Sequence, residues 1–93
     1  MNMESYRFLV SGKVQHVYYR KFVSQALMQS GIQGYIKNRE DGTVEVVARI
    51  YDDMFDTVLN ILQQGSPLSE VSDIRCEILE EDGIVYDGFE IRY

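Results

Sequence analysis

Apolar and polar residues alternate along four stretches of the chain, which is the pattern of strands with one buried face. Two other stretches place apolar residues three and four positions apart, as helices with a single apolar stripe do. A further strand is expected just before Asp41-Gly42, because Asp-Gly favours hairpin turns. The pattern predicts strands at residues 6–11, 32–37, 43–50, 74–78 and 89–93, and helices from Arg20 to near Gly31 and from Asp52 or Asp53 to Gly65.

The two predicted helices need the same kind of partner, since each has one apolar stripe. A single layer of helices on one face of an antiparallel sheet provides it. The order βαββαβ followed by a last strand therefore predicts an α+β fold, a ferredoxin-like α/β sandwich, as one domain over residues 1–93. Asp52 or Asp53 is expected to cap the second helix, and Gly65-Ser66-Pro67 is expected to end it.

Composition narrows the classes of protein to which this chain can belong. Ninety-three residues with 45% hydrophobic content suffice for one core, and a formal charge of −6 argues against an extended nucleic-acid interface. Neither a signal segment nor an apolar run of membrane-helix length is visible, which favours a cytoplasmic protein. Cys76 and His16 are the only cysteine and histidine, which are too few for a structural zinc site, so no dependence on a metal is expected. Cys76 alternates with core positions and is expected to be buried.

The segment from Gln15 to Arg20 lies where the first predicted strand leads into the first predicted helix. The first turn of a helix has unpaired N–H groups and partial positive charge, which favour an anion of phosphate size. Arg20 adds a planar guanidinium that can donate paired hydrogen bonds to a phosphoryl group. The right-handed crossover rule places this segment near the turn after the second strand. We therefore predict a phosphate-binding loop formed by Gln15, His16, Val17, Tyr18, Tyr19 and Arg20.

Two motifs in this order and at this separation resemble the two signatures of the acylphosphatase family. They are Gly12-Lys13-Val14-Gln15 followed by Val17, Tyr19 and Arg20, and Gly34-Tyr35 with Lys37-Asn38 and Gly42-x-Val44. The resemblance extends along nearly the whole chain, including the break at residues 65–67 and the aromatic C-terminal strand.

The resemblance implies hydrolysis of the carboxyl–phosphate bond of small acyl phosphates, with release of inorganic phosphate. It assigns Arg20 to the phosphoryl oxygens and Asn38 to the attacking water, although asparagine at a strand end is also a common turn residue. Such a reaction needs mainly positioning and charge stabilisation, and its carboxylate leaving group needs no general acid. We expect a cytoplasmic monomer that acts on a small molecule and uses no metal, cofactor, nucleic acid or membrane.

His16 departs from the family pattern, which usually has glycine at this position. If the position requires a positive φ, histidine adds strain of about 1–3 kcal/mol and activity is reduced. Alternatively its ring donates to the phosphate or to a substrate carboxyl, or it is merely tolerated. Tyr18 and Tyr19 are neighbours in a turn, so at most one reaches the substrate, and Tyr19 is expected to pack beneath the loop.

Three other functions compete with this interpretation. In a non-catalytic module that binds an anion or a metabolite, the loop would still bind its ligand, and His16 would weaken the hydrolysis. RNA binding on the sheet would need exposed aromatic residues among basic ones, which an acidic chain does not favour. A metallochaperone would need a loop with paired cysteines, and the chain has one cysteine.

Overall fold

The computed structural model describes residues 3–80, 86 and 88–93. Its elements are β1 (Met3–Lys13), α1 (Tyr19–Gln29), β2 (Gln33–Asn38), β3 (Val44–Tyr51), a short 3₁₀ helix (Asp52–Met54), α2 (Phe55–Gln64), β4 (Glu70–Leu79) and β5 (Phe89–Arg92). Both helices pack on one face of a five-stranded sheet. The predicted ferredoxin-like sandwich is therefore confirmed.

The sheet has the strand order β4-β1-β3-β2-β5. Three of its pairings are antiparallel, but β2 and β5 are parallel, so the sheet is mixed rather than antiparallel as expected. The direction of β5 follows from its connection to β4. Leu79 pairs with Ser5, which lies opposite Arg49 of β3. Phe89 pairs with Gly34, which lies opposite Ala48 of β3. Leu79 and Phe89 therefore lie at the same end of the sheet. A chain that re-enters the sheet at the end it left must reverse direction.

The core lies between the sheet and the two helices, as the alternation predicted. Apolar residues at every second strand position meet the apolar stripes of both helices. Each fully buried valine or leucine contributes about 1.5–3 kcal/mol relative to an exposed one. The following core residues are at most 1% exposed: Phe8, Val10, Val23, Leu27, Val46, Ala48, Val58 and Leu62.

The start of the second helical segment differs from the prediction. Asp52 and Asp53 do not cap α2 but lie within the 3₁₀ helix that precedes it, and no side-chain cap hydrogen bond forms at either start. The two carboxylates occupy the first turn of this segment, where negative charge is favourable without a direct bond. The helix ends at Gln64, directly before Gly65, as predicted.

The prediction that Cys76 is buried is wrong. Cys76 pairs with Phe8 on the same face of the sheet, yet it is exposed, and its neighbour Ile78 is 60% exposed. Both residues lie on the edge strand β4, whereas α1 packs over β2 and β5 at the opposite side of the sheet. The alternating pattern was correct, but two helices are too few to cover five strands.

Across residues 3–80, 86 and 88–93, no helix has the length and apolarity needed to cross a membrane.

Candidate active site

Three strand ends meet at one end of the sheet. β1, β2 and β5 run in the same direction, since β1 and β2 are both antiparallel to β3 and β5 is parallel to β2. The connection from β1 to α1 therefore lies beside Asn38 at the end of β2 and Tyr93 after β5. A cavity of about 410 Å³ opens here, and both Arg20 and Asn38 line it, together with His16, Tyr18, Lys21 and Tyr93.

The connection between β1 and α1 is a tight loop with two residues in left-handed conformation. His16 has φ 62° and Tyr18 has φ 64°. The positive φ at His16 is the condition under which strain was expected there. Tyr18 also adopts this conformation, which no sequence signal indicated. Gln15 is partly buried, His16 and Tyr18 are exposed, and Val17 is buried, so the loop turns its side chains alternately inward and outward.

The loop is held from below by residues at the end of α2. Tyr19 is 1% exposed and donates a hydrogen bond from its hydroxyl to the Leu62 carbonyl at 2.8 Å, which confirms that it packs beneath the loop. Burial raises the pKa of Tyr19 well above its ordinary value. The buried Ser66 hydroxyl donates to the Val17 carbonyl. Gly65 must remain small, because a Cβ there would approach the Tyr19 ring within 2.7 Å.

Gln15 ties the loop to the β2–β3 hairpin. Its side-chain Nε2 donates to the carbonyls of Arg39 and Thr43, each at 2.8 Å. The same hairpin carries Asn38, and Asp41 closes its turn by accepting from the Thr43 amide at 3.1 Å. Gln15 was predicted only as a member of the phosphate-binding loop. Its partners lie 24 and 28 residues away, and no local pattern could have identified them.

Arg20 lies in the first turn of α1 and is partly buried. One guanidinium nitrogen, Nη1, donates to the Arg92 carbonyl at 3.0 Å. The Arg20 Cζ also lies 4.8 Å from the centroid of the Tyr93 ring, within cation–π range. Among the described residues that line the cavity, none is acidic. The charge of Arg20 is thus oriented by a carbonyl and a ring, and no acidic side chain of the described cavity lining neutralises it.

Asn38 is the last residue of β2, and its position in the register places it on the helix side of the sheet, opposite Val44. Its Oδ1 is buried and has no hydrogen-bond partner among the described residues. Buried acceptors without a partner are uncommon in folded proteins. A turn-forming asparagine would use this oxygen for the backbone, so the side chain is not committed to that structural role.

We expect the substitution His16→Gly to raise the free energy of unfolding by about 0.5–1 kcal/mol, since glycine adopts positive φ without the steric cost that a Cβ imposes. Denaturant unfolding measures this change, and turnover of an acyl phosphate is measured in parallel. If strain in the loop weakens catalysis, turnover also rises.

The matched control is His16→Ala, which removes the imidazole but keeps the Cβ. It is expected to leave the left-handed strain in place and so to gain no stability. Equal stabilisation by alanine and glycine would show that the ring, and not the backbone conformation, is unfavourable.

A family model, related sequences and a solved structure that match this chain are all those of acylphosphatases. The acylphosphatase family model matches residues 6–91. An acylphosphatase of Methanocella arvoryzae is 39% identical over 90 residues, covering 97% of this chain and all of that protein. One of Bacillus licheniformis is 38% identical over 88 residues, covering 95% and 93%. The crystal structure of acylphosphatase from Bacillus subtilis matches with a TM-score of 0.87 at 32% identity, covering 99% of this chain and 100% of that one.

Proposed function

The chain belongs to the acylphosphatase family and hydrolyses acyl phosphates, and from this premise we propose that Arg20 binds the phosphoryl group while Asn38 orients the attacking water. The observation that carries the proposal is the placement of both side chains in one cavity at the start of α1, where no described residue hydrogen-bonds to the Asn38 oxygen. The proposed site also includes the backbone of the loop that precedes the helix.

The phosphoryl oxygens accept hydrogen bonds from backbone N–H groups of the loop from about Gln15 to Tyr19. Left-handed residues such as His16 and Tyr18 turn successive amides toward a common point, as in other anion-binding loops. Arg20 uses one N–H for the Arg92 carbonyl, and its remaining donors can reach the phosphoryl oxygens. These donors stabilise the charge that spreads over the oxygens in the transition state.

Asn38 acts on the water. Because Oδ1 has no partner in the described part of the chain, the amide can turn about Cβ–Cγ and present this oxygen to the cavity without breaking a described bond at that atom. The water donates a hydrogen bond to Oδ1, which orients its lone pair, and its oxygen attacks phosphorus in line with the acyl oxygen. The bond from phosphorus to that oxygen breaks, the carboxylate leaves with the electron pair, and the water proton stays with the phosphate product or passes to solvent. A carboxylate leaves without protonation, so no general acid is needed.

We also propose that a single chain suffices and that it works in the cytoplasm on small acyl phosphates. The loop, both proposed catalytic side chains and Tyr93 form the cavity without a residue from a second copy, so the proposed reaction does not require a dimer. The exposed free thiol of Cys76 fits a reducing compartment. The alternative of a non-catalytic anion-binding module has no observation in its favour.

The direct test is hydrolysis of benzoyl phosphate, a simple acyl phosphate, with and without a metal chelator. We expect turnover, and we expect the same rate in the presence of the chelator, because the proposed donors are amides and a guanidinium. Loss of activity that returns on adding a divalent metal would contradict the proposed mechanism. A complete lack of hydrolysis under both conditions would favour the binding module.

A further inference from the structure

A buried carboxylate lies behind the proposed site, on the face of the sheet opposite the helices. Glu45 follows Val44 on β3 and is 7% exposed, whereas the core-facing positions of this strand are Val44, Val46 and Ala48. A buried charge is destabilising unless it is paired and hydrogen-bonded. The partners of Glu45 therefore decide what this residue contributes.

One side of the Glu45 carboxylate faces the hairpin. Its Oε1 lies 3.6 Å from Nη1 of Arg39, the residue that directly follows Asn38. The Arg39 amide donates to the Thr43 carbonyl at 2.9 Å, and the Arg39 carbonyl accepts from Gln15 of the phosphate loop. Both backbone groups of Arg39 are thus fixed. Its side chain lies between the buried Glu45 and the exposed Asp41, whose Oδ1 is 3.8 Å from Arg39 Nε. Arg39 is the link between Asn38 and the loop.

The other side of the carboxylate faces β2 and β5. Its Oε2 accepts a hydrogen bond from the Tyr35 hydroxyl at 2.8 Å. The Cζ of Arg92 lies 4.0 Å from the centroid of the Tyr35 ring. The Arg92 carbonyl in turn accepts the hydrogen bond from Arg20. Burial, and next the hydrogen bond to Glu45, raise the pKa of Tyr35 to about 12, so this hydroxyl remains a donor at neutral pH.

We propose that Glu45 is a positioning residue for the hydrolysis. From the open face of the sheet it holds Arg39 and Tyr35, and through them it keeps Asn38 and Arg20 in their positions at the cavity. This inference rests on the proposed roles of those two side chains. Neither Glu45 nor Tyr35 lines the cavity that contains Arg20 and Asn38. Glu45 lines a second cavity, which shares Asn38 and Tyr93 with the first but does not include Arg20. Glu45 is therefore assigned a role through its neighbours and not a contact with the phosphoryl group.

The substitution Glu45→Gln distinguishes the contact with Arg39 from the contact with Tyr35. Glutamine keeps an oxygen that can accept from Tyr35, but it loses the charge that attracts Arg39. We expect kcat to fall about tenfold, because small displacements of a positioned water are sufficient for losses of this size. The inhibition constant of inorganic phosphate is expected to change less than about twofold, since the Arg20 side and the loop amides are retained.

Arg7 provides a matched control. Its Nη1 lies 3.7 Å from the same Oε1 of Glu45, but Arg7 is on β1, away from the cavity, and also contacts Glu77. Arg39→Met and Arg7→Met each remove one positive partner from Glu45, and their side chains are 35% and 34% exposed. We expect Arg39→Met to lower kcat as Glu45→Gln does. Arg7→Met is expected to leave kcat unchanged, whatever it does to unfolding.

The experiment measures kcat with benzoyl phosphate and phosphate inhibition for the three single variants and for the double variant Glu45→Gln, Arg39→Met. In the double variant, kcat is expected to be no lower than in either single variant, because both changes remove the same contact. The inference is overturned if Glu45→Gln keeps kcat within twofold, or if Arg7→Met lowers kcat as much as Arg39→Met. Should Glu45→Gln not fold, the comparison of the two arginine variants still decides.

Asn38→Ala, measured in the same series, separates this inference from its premise. If Asn38→Ala loses turnover while Arg39→Met and Glu45→Gln do not, the positioning role fails and the proposed function stands. If Asn38→Ala retains full turnover, the proposed role of Asn38 is wrong, and the positioning role of Glu45, which depends on it, is wrong as well.

Discussion

Replacement of Asn38 by alanine is expected to lower kcat about a hundredfold or more, while inorganic phosphate binds as before. The substitution removes the amide whose buried oxygen has no partner within residues 3–80, 86 and 88–93, and it leaves the loop amides and Arg20 in place. If Asn38 serves the water and not the phosphoryl group, the loss appears in kcat alone. Steady-state hydrolysis of benzoyl phosphate and competitive inhibition by phosphate give the two quantities.

The isosteric substitution Asn38→Asp serves as the control. It keeps an oxygen acceptor at the same distance from the backbone but adds a negative charge beside the phosphate-binding loop. We therefore expect phosphate affinity to fall in this variant and not in Asn38→Ala. A parallel loss of kcat and of phosphate affinity in Asn38→Ala would mean that the side chain contacts the phosphoryl group directly.

Replacement of Arg20 by glutamine is expected to have the larger effect, lowering kcat/KM by about a thousandfold and weakening phosphate inhibition at least about tenfold. This side chain carries permanent positive charge in a cavity whose described lining has no acidic side chain. It therefore acts on the bound phosphate in the ground state and on the charge that develops in the transition state. Both binding and turnover should be lost.

Two further variants resolve why Arg20 matters. Arg20→Lys keeps the charge but loses the planar donors, and with them the oriented contacts to the Arg92 carbonyl and the Tyr93 ring. We expect an intermediate activity. Lys13→Gln removes one positive charge at the end of β1, outside the cavity lining, and is expected to have little effect. If Lys13→Gln reduces activity as Arg20→Gln does, the effect comes from net charge and not from a positioned guanidinium.

Local patterns were sufficient for most of the fold. Alternation placed β1, β3 and their buried faces, and the stripe spacing placed α1 and α2, because strand and helix periodicities are properties of consecutive residues. The ambiguity at Asp52 and Asp53 is also local. A first turn stabilised by acidic residues has the same composition as a capped start, so the sequence could not distinguish the 3₁₀ helix from a longer α2.

Local patterns in the sequence predicted the element order, the loop between β1 and α1, and Arg20 as a candidate side chain, whereas Asn38 was selected through the resemblance to the acylphosphatase family. Three features depended on the folded chain: β5 runs parallel to β2, Cys76 is exposed, and Gln15 and Glu45 join the loop to the hairpin. The physical reason is common to all of these features. Strand direction, coverage of a sheet edge, and hydrogen bonds between distant residues depend on which elements become neighbours in space, and a periodicity of two or of 3.6 residues carries no information about that.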